Sequence, residues 1–261
     1  MLKIRVIPIL LVQDGLLKKP VQFRNPRTVA NPISVVRVFE ERQVDELILL
    51  DIGRTVDEDD VDPKLVENIA EELYVPFAYG GGIRSIEAIR HIVQAGAEKV
   101  VINTAAVEIP DLITAGAARF GSQCIVVSID AKDNGSFYEV YTRSGTHATG
   151  LDAVQLARRV EALGAGEIII NSIPHEGMLK GYNIDLVRKI SSVVSIPVIA
   201  AGGAAKLQDF VSAVREGGAS AVAAGSIYHY TKTTPNMVKG ALHVAGVPVR
   251  MYDDVDYSFE W

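Results

Sequence analysis

Cysteine is almost absent from this chain. Cys124 stands alone, so no disulfide can form within it, and its apolar neighbours Ile125, Val126 and Val127 mark the thiol as buried and structural. Positive charge is not in excess. The 26 Lys and Arg against 32 Asp and Glu leave a net charge of −6, which argues against a nucleic-acid partner, because such proteins present a basic face. No apolar run approaches the roughly 18 residues a membrane span needs. No secretory leader precedes Met1-Leu2-Lys3, and a soluble cytoplasmic protein is expected. The five histidines (His91, His147, His175, His229 and His243) lack ligand spacing, so neither a metal nor a cofactor is expected. A Walker loop, a nucleophile elbow and a basic aromatic patch are missing too.

What is present is a regular alternation. Apolar residues make up 48% of the 261 residues. Strand-like runs at 4–12, 46–51, 77–79, 99–103, 124–130, 167–171, 198–201 and 221–224 are followed by helix-period segments at 32–43, 63–73, 85–95, 111–120, 150–163, 184–193, 206–216 and 235–245. Near-continuous apolar runs such as "VVIN" and "EIIINS" belong to strands covered on both faces. Eight such pairs predict an α/β fold, a closed (β/α)8 TIM barrel forming a single domain over 1–261. The chain also repeats itself at an offset of about 121 residues. "ERQVDELILLDIG" echoes "ALGAGEIIINSIP", "VPFAYGGGIRS" echoes "IPVIAAGGAAK", and "QAGAEKVVINT" echoes "EGGASAVAAGS". Two fused half-barrels are expected, about 1–122 and 123–250, with an acidic aromatic tail over 251–261 read as a packed end rather than a docking peptide.

The repeat places chemistry twice. Gly81 and Gly82 in one half, Gly202 and Gly203 in the other, end a strand and open a helix, where backbone N–H groups can approach an anion. Asn103 with Thr104, and Gly225 with Ser226, end the next strands. Tight turns are the plainer reading; two copies with donor-bearing neighbours favour a ligand phosphorylated at each end. Gly177, in the sixth strand–helix loop, is placed with this second cradle. Between the cradles, Asp130 ends its strand in "VVSIDAKDNG", where a carboxylate can act as general acid or base. The matching stretch "VIPILLVQDG" sets Leu11 there instead. Asp51 lies at the mouth of the second strand. The segment 13–31 reads as a long loop, with Lys19 either reaching over the mouth or exposed.

Strand alternation carries the argument to the other end. If Leu11, Asn103 and Asn171 face the mouth, then Arg5, Lys99 and Glu167 face the floor, with Glu46 as the fourth member. On the residues alone this set reads as an ion-pair plug.

"DELILLDI", "GGGIRS", "KVVINTAAVEIPDLI", "FGSQCIVVSIDAK", "GAGEIIINSI", "GYNIDLVR" and "AAGGAAK" together resemble the cyclase subunit (HisF) family of imidazole glycerol phosphate synthase, over nearly the whole chain through Arg250. The resemblance implies two phosphate sites, a glutaminase partner on the N-terminal face, and an ammonia gate at Arg5, Glu46, Lys99 and Glu167. It also implies two catalytic aspartates, of which Asp130 is present and the other falls at Leu11. Glu176, Asn171 and Ala201 replace the family's usual Asp, Thr and Ser. Intact gate and cradles beside a changed mouth resemble a branch associated with surface-polysaccharide (O-antigen) modification. The expected function is therefore a subunit of a lyase or amidotransferase complex, rather than a stand-alone cyclase. It would conduct ammonia to a bisphosphate-type or amino-sugar acceptor, with a third amidotransferase protein as a further partner. The alternatives are a genuine cyclase of histidine biosynthesis and a non-catalytic phosphometabolite-binding scaffold.

Overall fold

The computed structural model describes residues 3–54 and 61–252. In chain order the elements are β1 (Arg5–Gln13), β2 (Leu16–Val21), β3 (Arg24–Ala30), α1 (Pro32–Glu41), β4 (Leu47–Asp51), α2 (Pro63–Ala70), β5 (Phe77–Gly80), α3 (Ile86–Gln94), β6 (Lys99–Ile102), α4 (Thr104–Glu108), α5 (Asp111–Phe120), β7 (Ile125–Asp133), β8 (Tyr138–Thr142), β9 (His147–Asp152), α6 (Ala153–Ala162), β10 (Glu167–Ser172), α7 (Ile184–Ser191), β11 (Val198–Ala201), α8 (Leu207–Arg215), β12 (Ala221–Ala224), α9 (Ser226–Tyr230) and α10 (Pro235–Val244).

Eight of the strands close a parallel barrel in the order β1-β4-β5-β6-β7-β10-β11-β12, with β12 returning to β1 through Arg5↔Ala221 and Ile7↔Ala223. The expected (β/α)8 architecture is therefore present, and its cause is visible in the strand sequences. Both faces of each strand are covered. Outward side chains such as Val6, Leu10, Leu49 and Val100 pack under the helices in one large core. Inward ones, including Ile7, Ile48, Val101, Val126, Ile169 and Ile199, fill the barrel. Helix starts are set by side-chain caps: Asn31, Asp62, Ser85, Asp152, Asn183 and Thr234 each accept a backbone N–H of the first turn.

Two features differ from the sequence expectation. The segment 13–31 is no loop: β1 continues into an antiparallel hairpin, Leu11 pairing with Lys18 and Lys19 with Arg27. After β7, β8 and β9 form a second hairpin, Asp130 pairing with Tyr141. That hairpin takes Gly150 to Asp152 from the predicted helix, which begins at Ala153 because Asp152 Oδ1 accepts the N–H groups of Val154 and Gln155. Most of the acidic aromatic tail, residues 253–261, lies outside the described residues. The segment before it is anchored to the N-terminal face, where Ile4 N donates to Pro248 O at 2.7 Å.

Candidate functional site

Inward side chains stack in layers along the barrel axis, as period-two alternation requires. The lowest layer is charged. Arg5 on β1 ion-pairs with both Glu46 and Glu167. Lys99 Nζ donates to Glu46 Oε1 at 2.8 Å and to Glu167 Oε2 at 2.9 Å. The four form a ring in which each cation bridges both anions. Burial works against the Arg5 charge, but its bonds to Glu167 and Glu46 outweigh that and raise its pKa. The sequence reading had this set; it missed the support behind it. Lys239 on α10, fully buried, donates to Asp45 Oδ1 at 2.8 Å and to Gln43 O at 2.9 Å, while Asp45 Oδ2 accepts Val6 N. Glu46 thus follows directly on an anchored residue.

Above the ring the bore is apolar, lined by Ile7, Ile48, Ala78, Val101, Val126, Ile169, Ile199, Ala221 and Ala223. Above that it opens into a cavity of about 150 Å³. Asp130 lies there, 8% exposed. Asn103 Nδ2 donates to Asp130 Oδ2 at 3.1 Å and to Ser128 O at 2.9 Å. Burial pushes the Asp130 carboxyl up to about 7, and the nearby Glu176 charge adds to this, against hydrogen bonds from Asn171, Ser128 and Asn103. A carboxyl poised there can give or take a proton near neutral pH. Leu11 faces the same cavity, beside Ile9 and Leu50.

Lys19 is not an exposed loop lysine. It is 2% exposed, its Nζ donates to Ile9 O at 3.3 Å, and burial lowers its pKa to about 8 against the pull of Glu176. Glu176, in the loop after β10, is half-buried and lines the cavity. Burial raises its pKa and Lys19 opposes the rise. Asp51 is at the mouth, where Arg54 Nε donates to it at 3.2 Å and Gly53 N at 3.2 Å.

The predicted cradles fall on opposite sides. Gly81, Gly82 and Thr104 line the main cavity with Asn103. A Cβ on Gly81 would stand 2.4 Å from Asp51 O, so only glycine fits that turn. Gly177, Gly202, Gly203, Gly225 and Ser226 surround a smaller cleft. The Ser226 hydroxyl there is buried and has no protein partner. In the sequence Glu176 entered only through the resemblance, as a replacement for the family's usual Asp, because it follows the strand end by four residues within a turn where no period fixes its direction. Among the described residues no cluster of three or more His, Cys, Asp or Glu could hold a metal ion, and no helix is long and apolar enough to cross a membrane.

Comparison with known proteins gives a consistent result. The profile of the family described as "Histidine biosynthesis protein" matches residues 5–234. "Imidazole glycerol phosphate synthase subunit HisF" of Dehalococcoides mccartyi (strain ATCC BAA-2266 / KCTC 15142 / 195) is 47% identical over 251 residues, covering 96% of this chain and 99% of the relative. The protein of the same name from Pyrococcus furiosus is 45% identical with 96% and 100% coverage, and that from Thermococcus gammatolerans 44% with 96% and 99%.

Proposed function

Since the chain belongs to the histidine biosynthesis protein family, and within it to the HisF subunits of imidazole glycerol phosphate synthase, we propose that it is the ammonia-using subunit of such a synthase. A glutaminase docks on the N-terminal face and releases ammonia beneath the ring of Arg5, Glu46, Lys99 and Glu167. Neutral ammonia passes the apolar bore, where an ammonium ion would have to shed its hydration at high cost. It reaches Asp130 and an acceptor whose two phosphates rest at the glycine turns. The acceptor of this reading is a phosphoribosyl-formimino ribulotide, which is cleaved and cyclised to imidazole glycerol phosphate and an aminoimidazole carboxamide ribotide. The observation that carries the proposal is the order along one axis: charged ring, apolar bore, buried carboxylate tuned near neutrality.

Leu11 favours a second reading of the acceptor. An isobutyl group at the end of β1 can neither transfer a proton nor bond a hydroxyl, and losing a general acid or base costs about 10²–10⁴ in rate. In this reading the barrel keeps its conduit and delivers ammonia onward, with a third amidotransferase protein, to an amino sugar of a surface polysaccharide. The test supplies ammonium salt and the ribulotide to the purified protein at mildly alkaline pH, without any glutaminase. Turnover within the ordinary range of roughly 1–10³ s⁻¹ is expected. Turnover at or near background, restored at least tenfold by Leu11→Asp, would sink the cyclase reading and leave the second.

A further inference from the structure

Addition of ammonia to a carbonyl carbon needs two proton partners. The nitrogen gives up protons as the C–N bond forms, and the oxygen that leaves as water takes protons up. One carboxylate that accepts and one carboxylic acid that donates satisfy both and keep the total charge of the pair unchanged. Four described acidic residues line the mouth cavity: Asp51, Glu108, Asp130 and Glu176. Asp51 is held by Arg54, and Glu108 by Arg143 at 3.1 Å on the rim. That leaves Asp130 and Glu176, on adjacent sides of Asn171.

We propose that Glu176 is the second acid–base group of the mouth, paired with Asp130 across Asn171 and taking the role that Leu11 on β1 cannot perform. This rests on the cyclase-type function proposed above. Asn171 Oδ1 and Glu176 Oε2 both lie over the bare Cα of Gly202, 2.2 Å and 3.3 Å from where a Cβ would stand. Asn171 Oδ1 is buried without a donor, so a protonated Glu176 or a ligand hydroxyl has an acceptor waiting beside it. The backbone of Glu176 is fixed from both sides: its N–H donates to Ser172 O at 3.0 Å and its carbonyl accepts Gln22 N at 2.9 Å. The charged and titratable groups facing it are Lys19 on β2, Asp130 on β7 and Tyr182 before α7. Burial raises both carboxyls and the ionised Glu176 raises Asp130 further, while Lys19 opposes the rise at Glu176, so the two titrate as a coupled pair. Asp130 is the base and Glu176 the acid.

The test titrates the resting protein by carbon-13 NMR of labelled carboxyls, in the wild type, Glu176→Gln and Glu176→Asp, and records the pH profile of ammonia-dependent turnover for each. In Glu176→Gln the Asp130 midpoint is expected to fall by one pH unit or more. The bell-shaped kcat profile should lose its alkaline limb, with kcat down about 10²-fold and KM changed less than threefold. Glu176→Asp should recover at least a tenth of kcat. An unmoved Asp130 midpoint in a folded Glu176→Gln protein overturns the pairing, and an unchanged kcat profile overturns the catalytic role. If the wild type shows no turnover, the function proposed above fails, and the titration alone decides whether the pair shares a proton.

Discussion

At the scale of single residues, Asp130 makes the clearest claim on solution behaviour. Its folded pKa is about 7 against 3.8 for the free side chain. Between those values the folded protein holds a proton that the unfolded chain has lost, so stability from this group falls as pH rises through the window. A shift of roughly three units corresponds to a ceiling of about 4 kcal/mol, at about 1.4 kcal/mol per unit. Asp130→Asn cannot ionise, yet its amide oxygen still accepts from Asn103. Calorimetry at pH 8 should show this variant unfolding above the wild type by up to about 10 °C, with the gap closing near pH 4.5. A gap of equal size at both pH values would mean the carboxylate is not destabilised by burial. Residues of this kind were legible in the sequence where strand alternation fixes direction: Arg5, Lys99, Asn103, Asp130, Glu167 and Asn171 all face inward as expected. Lys19 and Glu176 were harder, because they reach the mouth from a hairpin and a turn, where no period tells a side chain which way to point.

At the scale of elements, the same physics explains what was missed. Residues 16–30 carry Pro20, Pro26 and four Lys or Arg, a composition that reads as loop because Pro removes ladder donors. β3 is exposed along nearly its whole length, and charged residues and prolines are what keep such an edge from pairing with other chains. No apolar alternation is left to announce it. The barrel strands were legible because both their faces are buried. The hairpin is held down over the mouth by Gln22, whose N–H bonds Glu176 O and whose amide bonds Pro174 O at 3.0 Å. It passes directly over Gly177, which sits at φ 72° with a would-be Cβ only 2.6 Å from Pro20 O. Gly177→Ala therefore meets backbone rather than a yielding side chain, at a φ that already disfavours alanine by about 1–2 kcal/mol. It should lift the hairpin while leaving the barrel intact. Hydrogen exchange at Lys18, Lys19 and Gln22 is expected to quicken tenfold or more, with the melting temperature down by only a few degrees. Unchanged exchange at these amides would show that the hairpin is not seated on Gly177.

At the scale of the whole molecule, the two ends of the barrel answer to each other only through its axis. Three members of the ring, Arg5, Glu46 and Lys99, come from the first half of the chain and Glu167 from the second, while the short helices α4 and α9 follow β6 and β12 alike. We put forward a fusion of two half-barrels as the origin of this repetition of short helices. A ring whose every cation bridges two anions is a poor source of stability, since desolvation offsets much of the attraction. In the function proposed above, its value lies in closing the bore to water and ions while remaining openable. Lys99→Ala leaves Glu46 and Glu167 on Arg5 alone and opens a path past β6. With the glutaminase bound, ammonia released beneath the floor then escapes or meets water before reaching Asp130. Glutamine hydrolysed per product formed should rise from near one to several, whereas turnover with added ammonium salt should change less than threefold, because the mouth is untouched. Measuring both ratios on the same preparation separates a leaking conduit from a damaged site. A ratio that stays at one would make the ring a structural plug, and would send the ammonia by another route.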